Sequence, residues 1–140
     1  MICEHRTITL STMGNDHIVD LTGELTEAVR TTGLETGQVV AMVQGSTAAL
    51  TTLEFEPGLV NLDIAAAMER LAPRDGYYLH EETWHDDNGH SHVRAALIGP
   101  SLTVPFVEGQ LTLGTWQQIV FLDLDTSARS RRLVLQILGE

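Results

Sequence analysis

From His5 to Thr12 the chain reads HRTITLST, alternating polar and apolar side chains. A period of two buries one face of a strand and exposes the other, so this segment predicts a strand. The period changes at Thr22. Leu25, Ala28 and Val29 recur at helical spacing, Thr22 is placed to cap a helix, and Gly33 stands where that helix would stop. GQVVAMVQGSTAALTTLEF, starting at Gly37, is rich in β-branched and small residues and predicts two strands interrupted at Gly45. In EPGLVNLDIAAAMERLAP, residues Leu59, Leu62, Ile64, Ala65, Met68 and Leu71 make the apolar face of a second helix, which Pro73 ends. A histidine-rich polar stretch, TWHDDNGHSH, follows at Thr83–His92.

The last third is strand-like. SLTVPFVEGQLTLG predicts a hairpin turning at Glu108-Gly109, because glycine tolerates the positive φ that such turns require. TWQQIVFLDLD and RLVLQILGE add two more strands. No repeat, low-complexity tract or linker divides the sequence. Strands and helices without regular βαβ alternation predict a compact single α+β domain over residues 1–140, with a mixed or antiparallel sheet and two to three helices.

Charge narrows the choice of partner. The chain carries 8 basic and 19 acidic residues, a formal net charge of -11. Duplex nucleic acid is excluded as an expected partner, since phosphate-backbone binding needs a basic footprint and the only local one is RSRR at Arg129–Arg132. A small phosphorylated molecule suits a compact basic pocket better. The single cysteine, Cys3, cannot form an internal disulfide, which fits a reducing cytosol. No apolar run approaches a membrane span, and MICEHRTITL lacks a signal-peptide layout, so a cytoplasmic protein with no membrane partner is expected.

Several groups of residues carry candidate chemistry. His80, His85, His90 and His92 are four of the six histidines, and imidazole is a common ligand for zinc and similar ions. His90 and His92 share a side if HSH is extended and diverge if it is helical. The spacing matches no zinc signature, and a solvated loop with structural histidines is the competing reading. Arg129 and Arg131 share one side of an extended segment and present fork-shaped donors that match phosphate, or else pair with the chain's own acids. Ser46 and Thr47 in GSTAAL offer hydroxyls at a turn that could cradle an anion, although the chain has no lysine and hence no Walker motif. Glu54 and Asp63 are candidates for a base or a metal ligand. Trp116 beside Gln117 could hold a flat ring, or Trp116 could belong to the core.

Read together, STAALTTLEFEPG, YLH at Tyr78–His80, NGHSHVRAALIGPSLTVPFVEGQLTLGTWQQIVFLDLD and RSRRLVLQILGE resemble the YjbQ family, also called UPF0047, over nearly the whole chain. The resemblance implies a homotrimer and a weak or secondary thiamine-phosphate synthase activity, which joins a hydroxymethylpyrimidine diphosphate to a thiazole phosphate and releases pyrophosphate. It implies catalytic roles for His80, His92, Glu54 and Gln117, and substrate binding by Ser46, Thr47, Trp116, Arg129 and Arg131. A divalent metal, Mg²⁺ or Zn²⁺, would sit at His80 and His92; His90, less securely part of the pattern, is the candidate further ligand to make up for the histidine absent at Gly45. Asp63 matches the aspartate after the family's EPG.

The sequence departs from the family pattern where HTTAA or HTSAA is common: Gly45 replaces the histidine, and Leu53 replaces the asparagine of TINE. Two expectations follow. One is an enzyme acting on small phosphorylated substrates. The alternative is a non-catalytic homotrimer that binds a metal or metabolite.

Overall fold

The computed structural model describes residues 1–140 and bears out an antiparallel α+β architecture. Its strands are β1 (Ile2–Thr12), β2 (His17–Asp20), β3 (Thr36–Val43), β4 (Ala48–Leu53), β5 (Ser101–Val107), β6 (Gln110–Leu111), β7 (Gln118–Asp123) and β8 (Arg129–Gly139). Helices α1 (Thr22–Arg30), α2 (Ile64–Leu71), α3 (His80–Trp84) and α4 (Gly89–Ile98) lie between them. Five strands form one sheet in the order β1-β8-β3-β5-β6, and three form a second in the order β2-β7-β4.

Burial explains the layering. Val39, Ala41 and Val43 on β3 and Leu133, Leu135 and Ile137 on β8 face Leu50, Ile119 and Phe121 of the small sheet, and Leu25 and Val29 of α1 close that core. The other face of the small sheet carries Val120 and Leu122, which pack with Ala95 of α4, with Val60 in the turn before α2 and with Ile64 at its start. β7 is therefore covered on both sides and reads as a continuous apolar run rather than an alternating one. β8 keeps the alternation, because only one of its faces meets the core.

Several local expectations are refined. The α1 cap is Leu21, not Thr22, and it makes no side-chain cap bond. Asp20 Oδ1 accepts the Thr22 N–H at 2.9 Å, while Thr22 Oγ1 accepts the Ile119 N–H at 2.9 Å and ties the helix to β7. The predicted apolar face of the second helix is only partly inward: Leu62 and Leu71 are exposed, and Met68 alone is buried. A π-helical turn over Leu59–Asp63 precedes α2, and its wider turn shifts the phase on which the six-residue stripe depended. The hairpin is as predicted, with Phe106 opposite Leu111 and φ of 53° and 68° at Glu108 and Gly109. Two positive φ values match the primed turns whose twist suits a two-residue hairpin.

There are four helices rather than two or three, because the histidine-rich stretch supplies α3 and α4. Their local signal is weak, with a five-residue helix and then a helix opening on Gly89. Packing of Ala95 and Ile98 against the small sheet supplies what propensity does not. None of the helices is long and apolar enough to cross a membrane.

Candidate functional site

One end of the sandwich is closed by charge. Asp123 ends β7 on the face carrying Ile119 and Phe121, and it is fully buried. Arg131, two residues into β8, donates from Nε to Asp123 Oδ2 at 2.8 Å and from Nη2 to Asp123 Oδ1 at 2.7 Å. This two-point pair joins the two sheets. Thr12 from β1 also donates to Asp123, and the Asp125 N–H reaches Asp123 Oδ1 at 3.1 Å.

A second carboxylate extends the network. Asp125 Oδ2 accepts from Thr47 Oγ1 and from Arg129 Nε, both at 3.0 Å, and Asn88 Nδ2 lies 3.4 Å from its Oδ1. Thr47 in turn accepts from Arg131 Nη2 at 2.9 Å. Burial pushes both carboxyls up. For Asp123, hydrogen bonds from Arg131, Thr12 and the Asp125 amide more than offset it and leave the group below the ordinary carboxylate value. For Asp125, the Thr126 amide, Thr47 and Arg129 do the same.

The histidines sit beside this network. α3 begins at His80, and its last turn closes on His85 with a left-handed φ of 57°. The loop then leads through Asn88 into α4, on which His92 lies one turn in. The His80 and His92 rings come together with centroids 4.3 Å apart. Asp86 Oδ1 is 3.4 Å from His80 Nε2, within ion-pair reach but without hydrogen-bond alignment, so Nε2 is buried and unpartnered. Asn88 Oδ1 is likewise buried without a partner. Burial, followed by the charge of His80, holds the His92 ring below its ordinary value.

His90 faces elsewhere. HSH is helical, so residues two apart diverge by about 200° around the axis. The His90 ring lies 6.3 Å from that of Tyr78, and its Nδ1 has no partner. Burial and the charges of Arg94 and Arg74 hold it below the ordinary imidazole value, opposed by Asp16 and Glu69.

The remaining sequence candidates lie at the other end of the small sheet. Ala48 pairs with Asp123, whereas Leu53 pairs with Gln118, and five strand steps separate the two ends by about 17 Å. Glu54 is exposed there, as is Trp116 at 72 %. Gln117 is engaged locally: Oε1 accepts from the Gly114 N–H at 3.1 Å and Nε2 donates to Thr52 Oγ1 at 3.0 Å. It lines a cavity of about 650 Å³ with Thr22, Arg30 and Glu108. Asp63 ends the π-helical turn and is exposed. Thus His80, His92, Thr47, Arg129 and Arg131 converge, with Ser46 on the adjoining loop, and Glu54, Trp116 and Gln117 do not join them within one chain.

Sequence reasoning passed over Asp123, Asp125 and Asn88. The signal available was FLDLD itself: two aspartates two residues apart at the end of an apolar run share a face, and a buried carboxylate needs a partner.

Acid should expose these couplings. A ring held below its ordinary value of 6.5 in the fold protonates more readily in the unfolded chain, so its contribution is intact above 6.5 and falls as pH drops through that window. Melting temperature is expected to fall from pH 7 to pH 5, and less steeply in His92→Gln. Identical slopes for the two proteins would refute the assignment to His92.

Comparison with known proteins agrees with this architecture. The family model described as UPF0047 protein YjbQ-like matches residues 6–140. A UPF0047 protein of Archaeoglobus fulgidus is 37 % identical over 131 residues, covering 94 % of this chain and 98 % of the relative. A UPF0047 protein of Mycobacterium tuberculosis is 40 % identical over 116 residues, 79 % of this chain and 84 % of the relative. Among solved structures, a hypothetical protein from Aeropyrum pernix K1 superposes with a TM-score of 0.90 at 36 % identity, covering 98 % of this chain and 99 % of the other. A YbjQ-like protein of unknown function from Sulfolobus solfataricus P2 gives 0.87 at 28 % identity, covering 99 % and 100 %. Fold, length and sequence agree, and the chain belongs to the YjbQ-like UPF0047 family.

Proposed function

We propose that this protein is a cytoplasmic, thiamine-phosphate synthase-like transferase acting on small phosphorylated molecules at the His80–His92 end of the sandwich. The observation that carries this reading is the close histidine pair, with His80 Nε2 buried and unpartnered, set beside Arg129 and Arg131. A buried imidazole nitrogen without a partner is costly unless a ligand or proton engages it.

A metal fits this site in part. No three of the histidine, cysteine, aspartate and glutamate side chains converge as a ligand set. The two imidazoles suit a zinc-like ion better than Mg²⁺, which prefers oxygen ligands, and phosphate oxygens would supply the remaining positions. Such an ion, when bound, would help neutralise negative charge developing on a departing pyrophosphate. Without an ion bound, His92 would instead hold or move the proton, and in either case Arg131, fixed by Asp123, would orient the phosphate.

The ring-holding pair Trp116 and Gln117 is about 17 Å away along β4, so the transferase reading draws these residues from a neighbouring copy in a homotrimer. Exposed Leu71, Leu79, Trp84 and Leu97 on and around the helices supply apolar surface for such contacts.

The test combines the two hydroxymethylpyrimidine and thiazole phosphates with Zn²⁺ or Mg²⁺ and measures pyrophosphate release. Wild type is expected to turn over, His92→Ala at least about a hundredfold more slowly, and light scattering should give the mass of three chains. No turnover at high protein concentration removes the enzyme reading and leaves a non-catalytic metal or metabolite binder. The separation of Glu54 from the histidines within one chain favours that second reading.

A further inference from the structure

Arg131 has one edge to spare. Its side chain is about nine-tenths buried, and its Nε and Nη2 are committed to Asp123 and Thr47. Nη1 donates to no protein acceptor. The space beside Nη1 belongs to Gly45, where a methyl group would come within 3.1 Å of that nitrogen. Gly45 and Ser46 are both exposed, and both line a cavity of about 480 Å³ whose walls also include His92, Ala95 and Pro100.

We propose that Gly45 opens an oxyanion subsite in which Arg131 Nη1 and the Ser46 hydroxyl take the terminal oxygens of a phosphorylated small molecule. The proposal rests on the reading above that the ligand is phosphorylated, and it makes residue 45 the determinant of that specificity.

The chemistry is favourable for four reasons. A guanidinium whose other edge is locked on a carboxylate loses little side-chain freedom when it binds, so its free N–H is pre-organised. The fixed charges bonded to it cancel, with Asp123 and Asp125 against Arg129 and Arg131, and the remaining nearby carboxylate, Asp86, lies against His80. The overall charge of -11 is spread over the surface and is screened beyond about 8–10 Å at physiological salt. A donor recessed beneath a glycine also admits a tetrahedral anion while excluding bulkier groups from direct contact with it.

Substitution at Gly45 tests this without backbone strain, because its backbone does not occupy the left-handed region that only glycine favours, and the added Cβ presses on Arg131 Nη1. Inorganic phosphate is titrated against wild type, Gly45→Ala, Gly45→Val and His92→Gln by thermal shift and ³¹P line broadening, with chloride at matched ionic strength as the blank. Wild type is expected to show a saturable response. Gly45→Ala should weaken it at least about tenfold, as expected for a crowded charge-assisted hydrogen bond, and Gly45→Val should abolish it. The melting temperature of each variant in chloride reads whether the added side chain has displaced the Arg131–Asp123 pair.

Phosphate binding by Gly45→Val as tight as wild type overturns the subsite, and so does a wild type with no saturable response. A parallel Zn²⁺ titration separates this proposal from the one it rests on. Loss of phosphate but not Zn²⁺ in Gly45→Val supports the subsite beside an intact histidine pair. Phosphate binding that needs Gly45 in a wild type without Zn²⁺ binding or turnover supports the subsite and removes the metal-assisted transferase.

Discussion

Asp123→Asn is expected to destabilise the protein by about 3–5 kcal/mol, the usual cost of removing one partner from a buried ion pair. Asparagine has nearly the same shape, so the loss is electrostatic rather than a cavity. It leaves the Arg131 guanidinium, 8 % exposed, facing an amide that accepts at one atom where the carboxylate accepted at two. Thr12 and the Asp125 amide lose a charged acceptor in the same step. For a chain of this length the melting temperature should drop by roughly 10 °C or more. Urea denaturation measures the loss directly, and a change below about 0.5 kcal/mol, typical of a surface pair, would contradict the buried assignment.

The same carboxyl gives the effect a pH signature. Asp123 sits below its ordinary value of 3.8 in the fold, so its contribution is complete above that value and disappears as acid protonates the folded group. Wild type should therefore lose stability steeply below about pH 4, and Asp123→Asn should show a shallower acid limb. If Asp123→Asn kept its stability at neutral pH, Arg131 would be neutralised by Asp125, whose Oδ2 lies 3.6 Å from Nη2. A double-mutant cycle with Asp125→Asn separates the two contributions.

The second large effect is expected at Arg94, which is 1 % exposed on α4. Its Nε donates to the Ala72 carbonyl at the end of α2, Nη1 reaches both oxygens of Asp16 at 3.0 Å, and Nη2 reaches Glu69 Oε2 at 2.6 Å. Two separate segments, the loop between β1 and β2 and the C-terminal end of α2, thus converge on one guanidinium of α4. Arg94→Leu leaves Asp16, whose side chain is 10 % exposed, with only the longer 3.9 Å contact to Arg74, and is expected to cost about 3–5 kcal/mol. Arg94→Lys should recover little, because an ammonium cannot serve three planar directions at once.

Because α4 also carries His92, loosening α4 should weaken ligand binding at the histidine pair while Arg131 stays in place. A variant that loses stability but keeps wild-type affinity would show that α4 holds its place without Arg94. An Arg94→Leu protein as stable as wild type in urea would show that the contacts of this residue are incidental.

The elements whose apolar period runs long were legible without coordinates. β1, α1, β8 and the Glu108-Gly109 hairpin follow directly from alternation, helical spacing and the φ freedom of glycine. β2, with four residues, and α3, with five, were not, since neither is long enough to display a period. The second helix was legible in existence but not in orientation, because the π-helical turn before it rotated Leu62 outward.

The candidate site divides in the same way. Residue chemistry singled out His80, His92, Arg129 and Arg131, since imidazole and guanidinium are recognisable wherever they occur. Which of them meet was a matter of long-range geometry. Thr12 and Asp123 are 111 residues apart in sequence yet share a hydrogen bond, and Thr47 and Arg131 are 84 apart. Local patterning fixes which face a side chain takes; pairing of distant strands decides what it finds there. The sequence by itself determined an acidic α+β domain with histidine and arginine chemistry. Only the tertiary structure decided that two buried aspartates hold the arginines, that His90 turns away from His92, and that Gly45 leaves one guanidinium nitrogen open.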